Sequence, residues 1–141
     1  MKNILVVHGP NLNLLGEREP ELYGSETLDE INKNIADHAN KHGIECRFFQ
    51  SNHEGAIIDT IQDNRKWMDG LIINPGAYTH SSAAIRDTLL ILSCPIIEVH
   101  LSNIHSREKF RRHSYISPVA TGVICGLGAK GYILAVDALA L

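Results

Sequence analysis

Five short apolar runs rich in β-branched side chains, at residues 4–7, 46–49, 71–73, 96–99 and 119–125, alternate along the chain with stretches of helical periodicity. Strands that alternate with helices imply a parallel sheet, because each parallel neighbour needs a crossover connection and a helix is the usual one. The first crossover is the clearest. Thr27 followed three residues later by Glu30 is a capping box, Leu28, Ile31, Ile35 and Ala39 share one face, and Gly43 supplies a stop. Further helical patterns carry Ile57, Ile58 and Ile61, then Ala84, Ile85, Leu89 and Leu92, then residues 130–141, with a shorter helix expected over about 106–112. The order predicts an α/β fold, a doubly wound three-layer αβα sandwich with a five-stranded parallel sheet, in a single domain over 1–141.

A chain of 141 residues can bury most of its apolar surface in one core without disulfides or metals. Its net charge of -3 offers no basic stripe, and Arg107, Arg111 and Arg112 are too short a cluster to make one, so nucleic acid is not expected as a partner. Cys46, Cys94 and Cys125 are an odd number with no CxxC pair, which reads as core residues in a reducing cytoplasm. The opening residues, MKNILVVHGP, lack the apolar core of a signal peptide, and no later run reaches membrane-spanning length. A soluble cytoplasmic protein is the expectation.

In a sheet of this kind, ligands bind outside the carboxyl ends of the strands. Those positions are rich in polar groups here: His8 and Asn11 after the first strand, Ser51 to Glu54 after the second, Asn74 to His80 after the third, and His100, Ser102 and Asn103 after the fourth. The loop after the first strand, NLNLLGEREPELYG over 11–24, carries Asn11, Arg18 and Tyr23. A tyrosine of ordinary pKa, about 10, is protonated at neutral pH, and a fixed cation nearby favours its anion, so Tyr23 is a candidate base and Arg18 its activator. Packing or solvent exposure is the alternative for both side chains.

Glu98 and His100 stand two apart at a strand end and therefore point to one face. The carboxylate can fix the imidazole tautomer and support its protonated form, which suits a general acid; a buried histidine satisfied by a neighbouring acid is the other reading. If a helix begins at Ser102, the backbone N–H groups of Leu101 and Ser102 make a seat for a carboxylate or phosphate. In NPGAYTHSS, residues 74–82, a turn leads into an N-capped helix, and Asn74 and His80 can both face the crevice. Arg111 and Arg112 are a solvated face or a contact to an anionic or polyol ligand. Gly126, Gly128 and Gly131 match GxGxxG, but too little chain follows for a dinucleotide fold, so a tight turn is expected. His38 and His42 have metal-ligand spacing without a motif behind it and are read as surface histidines.

Taken together, GPNLNLLGEREPELYG, SNHEG, NPGAYTHSS, IEVHLSNIHSREKFRRHSYIS and GLGAKGY, in this order over nearly the whole chain, resemble the type II 3-dehydroquinate dehydratases. Ser81 stands where that family has threonine as often as serine. The resemblance implies a flavodoxin-like fold and the reversible anti elimination of water from 3-dehydroquinate to 3-dehydroshikimate, with no metal or organic cofactor. By that likeness Tyr23 is the base, Arg18 its partner, Asn11 part of the enolate's support, His100 the acid and Glu98 its orienter. Leu101 and Ser102 hold the substrate carboxylate, and Asn74, His80 and Arg111 its ring hydroxyls. The family also implies a homo-oligomer, a dodecamer built as a tetramer of trimers, with Asp87 reaching an adjacent subunit's site. Gly16 and Gly24 bracket a loop expected to close over substrate. The Schiff-base mechanism of the unrelated type I enzymes is disfavoured, since no lysine falls in a strand-end cluster. The alternative class is a small-ligand or nucleotide-binding module on the same fold, without catalysis.

Overall fold

A computed structural model describes residues 2–141. Five parallel strands, β1 (Lys2–His8), β2 (Ile44–Gln50), β3 (Gly70–Asn74), β4 (Ile96–His100) and β5 (Gly122–Cys125), form one sheet in the order β2-β1-β3-β4-β5, the flavodoxin-like order. The order reverses between β1 and β3, where His8 lies in register with Asn74. Open α/β sheets bind ligands at that switch point, so the topology selects one end of one strand pair.

Helices α2 (Leu28–Lys41) and α5 (Lys130–Ala140) cover one face, and α3 (Glu54–Asp63) and α4 (Ala83–Leu89) the other. Strand parity sorts the core between them. Ile4 and Val6 of β1, Ile72 of β3, and Ile97 and Val99 of β4 pack with Ile31, Ile35, Tyr132 and Val136. Their alternates, Leu5, Val7, Leu71, Ile73 and Ile96, pack with Ile57, Ile61, Ile85 and Leu89. Both faces of β1, β3 and β4 are therefore dry, and each buried aliphatic side chain contributes about 1.5–3 kcal/mol.

The capping box forms as the sequence implies, with Thr27 Oγ1 accepting from Glu30 N–H at 3.2 Å. Three local expectations are corrected. The run at 119–125 begins as a 3-10 turn, Ser117–Val119, and becomes strand only at Gly122, because Pro118 opens the turn and the Ser117 hydroxyl is tied to Glu98. The helix expected over 106–112 is two 3-10 segments, Ile104–Ser106 and Lys109–Arg112, interrupted at Arg107, whose backbone is extended. No helix starts at Ser102: Asn103 caps the first segment instead, its Oδ1 accepting from His105 N–H at 3.1 Å. One element was not foreseen, the single helical turn α1 (Pro20–Tyr23) inside the arginine and tyrosine loop. Among the described residues no helix is long and apolar enough to cross a membrane.

Candidate active site

At the switch point the loops after β1 and β3 are locked together by close backbone approach. A Cβ on Gly9 would lie 2.3 Å from Pro75 O, and one on Gly76, whose φ is +60°, would lie 3.2 Å from Pro10. Glycine is the residue that permits both approaches. Asn11 follows with φ 69°, a left-handed conformation uncommon for a side chain, and its N–H donates to Asn52 Oδ1 at 2.9 Å. Asn52, in the loop after β2, is thus what holds Asn11 at the rim.

The rim encloses a cavity of about 140 Å³ lined by Asn11, Arg18, Tyr23, Asn74, His80, His100, Leu101, Ser102, Arg107 and Arg111, among others. Most of the sequence-derived site residues meet there. Glu98 lies behind His100, fully buried, and Asp87 is exposed on α4, away from this cavity.

Tyr23 ends α1, and its ring faces two guanidiniums, Arg18 with its central carbon 4.9 Å from the ring centroid and Arg107 at 5.5 Å. Arg107 also donates to Ser102 Oγ at 3.3 Å, which ties the segment after β4 to the tyrosine loop. In the sequence Arg107 stands out only as one of a short arginine cluster with Arg111 and Arg112. Its approach to Tyr23 follows from the extended break between the two 3-10 segments, for which no residue pattern was available.

His100 and Glu98 do point to one face, and His100 Nε2–H donates to Glu98 Oε2. That commits Nε2 and leaves Nδ1 as the nitrogen free for a ligand. The carboxylate is held from three further sides, by Thr79 Oγ1 at 2.6 Å, Ser117 Oγ at 2.6 Å and Ser114 Oγ at 3.1 Å. Burial pushes the Glu98 carboxyl up, but the bonds from His100, Ser117 and Thr79 and the charge of His100 outweigh it and bring it below the usual range. Glu98 is therefore an anion inside the protein. The three hydroxyls escaped the sequence reading because they stand 16 to 19 residues from Glu98, Thr79 before it and the Ser114 to Ser117 turn after it.

A second buried network lies on the opposite face of the sheet. His8 Nε2 is 2.7 Å from Asn32 Oδ1, and an amide oxygen only accepts, so Nε2 carries the proton. Nδ1 must then accept from the Tyr132 hydroxyl at 3.0 Å, and Tyr132 in turn accepts from Asn74 Nδ2 at 3.1 Å. Asn74 Oδ1 accepts from Gly76 N–H at 3.1 Å. Every donor has a direction, and the chain of bonds ends by fixing the Asn74 amide at the cavity wall. Burial holds His8 down to about 4 despite its bond to Asn32, and pushes the Tyr132 phenol up.

The His8 network makes a stability prediction. The unfolded chain's imidazole protonates near 6.5 while the folded one stays neutral to about 4, so the unfolded state binds the proton first as pH falls. Stability is expected to decline from pH 6.5 towards 4, by roughly 3 kcal/mol from this group. Denaturant unfolding at pH 7 and 4.5, at fixed protein concentration, should show a smaller decline for His8→Gln than for wild type. An equal decline in both would remove His8 as the cause.

His80 Nδ1 donates to His113 O at 2.7 Å, leaving Nε2 to accept from a ligand hydroxyl. Burial holds its pKa below the ordinary histidine range; the His113 carbonyl opposes this, and the charges of His100 and Arg111 add to it. Arg111 Nε donates to Glu108 at 2.7 Å, which sets the guanidinium's direction at the cavity edge. The N–H groups of Leu101 and Ser102 have no acceptor among the turn, loop and cap bonds of the described residues, although no helix begins there. They remain available to an anion.

A phenol beside two cations, an imidazole backed by a carboxylate, and free backbone donors are the groups with which a site can take a proton from carbon, give one to a leaving oxygen and hold an anionic ligand. The protein comparisons are consistent with such chemistry. A family model described as dehydroquinase class II matches residues 2–140. A 3-dehydroquinate dehydratase of Halothermothrix orenii is 56% identical over 139 residues, covering 99% of this chain and 94% of that protein. A catabolic 3-dehydroquinase of Aspergillus clavatus is 56% identical over 140 residues, covering 99% and 93%. The crystal structure of the type II dehydroquinase from Butyrivibrio crossotus superposes with a TM-score of 0.96 at 51% identity, over 98% of this chain and 97% of that one.

Proposed function

The chain belongs to the class II dehydroquinase family and is a hydro-lyase acting on 3-dehydroquinate, and from that premise we propose how its residues divide the work. Tyr23, as its phenolate, removes the proton from the carbon beside the substrate ketone. The guanidiniums of Arg18 and Arg107 compensate the phenolate's charge. The electron pair left on carbon moves into the carbonyl and forms an enolate, whose oxygen is stabilised through a water held by Asn11 and its neighbours. When the enolate collapses, the carbon–oxygen bond to the leaving hydroxyl breaks, and His100 Nδ1 gives that oxygen a proton so that water departs. The product is the conjugated enone 3-dehydroshikimate, and the elimination is anti because base and acid stand on opposite sides of the ring.

The other polar groups bind. The backbone N–H groups of Leu101 and Ser102 take the substrate carboxylate, beside the positive charge of Arg107. Asn74, His80 Nε2 and Arg111 take the ring hydroxyls. Gly16 and Gly24, at φ 93° and 90°, are the hinges on which the Tyr23 loop closes and excludes water. The observation that carries this reading is that Tyr23 with its two cations and His100 with its buried carboxylate line the same cavity.

Addition of 3-dehydroquinate to the purified protein is expected to produce the ultraviolet absorbance of the enone, and pretreatment with borohydride in the presence of substrate should leave the rate unchanged. Loss of activity after borohydride would replace the phenolate mechanism with a Schiff base.

The assembly is a homo-oligomer, a dodecamer of four trimers, in which Asp87 serves a neighbouring subunit's site. Its exposed position on α4, away from its own cavity, supports this. Asp87→Ala is expected to lower kcat/KM about 10-fold or to change the assembly size seen by light scattering, the range for loss of one charged contact. Unchanged kinetics and unchanged size would end that role.

A further inference from the structure

Away from the active site, two histidines converge on one carboxylate. His38 lies in the last turn of α2 and His42 caps that helix, so they stand one helical turn apart on one side. Asp137 comes from α5, the helix packed beside α2. His38 Nε2 is 2.6 Å from Asp137 Oδ1, and His42 Nε2 is 3.5 Å from the same oxygen. All three ligand atoms lie within 4.8 Å of one another.

We propose that His38, His42 and Asp137 form a binding site for a divalent transition-metal ion, with zinc(II) as the fitting occupant, that clamps α2 to α5. Zinc holds nitrogen and oxygen ligands at about 2.0–2.2 Å, which sets neighbouring ligand atoms in a tetrahedron roughly 3.3–3.5 Å apart. The His42 to Asp137 separation already has that value, and the His38 to Asp137 hydrogen bond must lengthen by less than an ångström. Both Nε2 atoms converge on the one Asp137 oxygen. A shared cation satisfies all three groups at once, with each neutral imidazole keeping its proton on Nδ1.

The donor chemistry narrows the ion. Two imidazoles and one carboxylate suit zinc and its neighbours in the first transition row, whereas magnesium and calcium prefer oxygen ligands throughout. The side chains are 26%, 41% and 47% exposed, so an ion can enter from solvent and water can complete its coordination. None of the three lines the catalytic cavity.

Zinc(II) titrated into the assembled protein against a chromogenic chelator tests this. Wild type is expected to take up one tight equivalent per chain, and its melting temperature to rise by a few degrees, since a ligand bound only by the folded state stabilises it. The double variant His38→Ala/His42→Ala should keep its turnover, lose at least 10-fold in affinity and show no thermal shift. If that variant does not assemble, His42→Gln at its exposed position makes the same comparison. Absence of a tight equivalent in wild type, or equally tight zinc in the variants through Cys46, Cys94, Cys125 or the active-site imidazoles, would overturn the site.

Discussion

Tyr23→Phe is expected to lower kcat by about 10³-fold while KM for 3-dehydroquinate changes little, the range that loss of a positioned general base produces. The substitution removes one oxygen and keeps the ring that faces Arg18 and Arg107, so the packing of α1 and the cation contacts at 4.9 and 5.5 Å survive. Binding through Leu101, Ser102 and His80 involves no tyrosine atom, which is why the loss should appear in kcat. The assay is the appearance of the enone with purified wild type and variant compared at equal concentration. A kcat within 10-fold of wild type would take the base role from Tyr23, and the cations around it would then be read as substrate-binding groups. A large rise in KM at constant kcat would point the same way.

Glu98→Gln is expected to lower kcat by about 10²-fold or more, with the fold retained. The carboxylate accepts from His100, Thr79, Ser114 and Ser117 at once, and an amide of the same shape offers one oxygen and two N–H donors to those four groups. The hydroxyls can turn and accept, so the core tolerates the change. What the amide cannot supply is charge: even with its oxygen turned to His100 Nε2–H, no negative charge remains to balance an imidazolium, so the protonated acid is disfavoured. The resulting loss should fall on kcat and persist across the pH range in which wild type is active. Glu98→Leu should be worse in a different sense. It leaves the buried hydroxyls and His100 without an acceptor, at about 1–3 kcal/mol each, and should appear as poor folding before it appears as poor catalysis. If Glu98→Gln kept wild-type kcat, Glu98 would be a structural anion only.

The two site networks differ in how visible they were in the chain. The Glu98 and His100 pair was legible because period-two alternation along a strand is local geometry, and the structure joins them by a direct bond. Thr79, Ser114 and Ser117 were not, because they reach Glu98 from the segment after β3 and from the Ser114 to Ser117 turn, both distant from it in the chain. His8 and Asn74 were legible as strand-end residues, and the register of β1 with β3 puts them side by side. Their link through Tyr132 depends on α5 lying across that face, and a tyrosine in an amphipathic helix gives no sign that its hydroxyl will sit under an asparagine on β3. The helix expected at 106–112 failed for a related reason. Its composition allowed helix, but Arg107 is drawn out towards Ser102 and Tyr23, and that contact costs the helix its continuity. Likewise His38 and His42 look like ordinary surface residues until α5 brings Asp137 between them.

By itself, the amino-acid sequence determined the αβα architecture, the strand ends at which polar residues collect and the capping of α2. These follow from short-range physics: side-chain periodicity, turn chemistry and the burial of apolar runs. Tertiary structure alone decided which hydroxyls charge the Glu98 site, which tautomer His8 and His80 hold, that Arg107 joins Arg18 at Tyr23, and that one carboxylate on α5 meets two imidazoles on α2. Each of those depends on the direction of a hydrogen-bonding group relative to an element distant in the chain, and direction is set only when the layers pack.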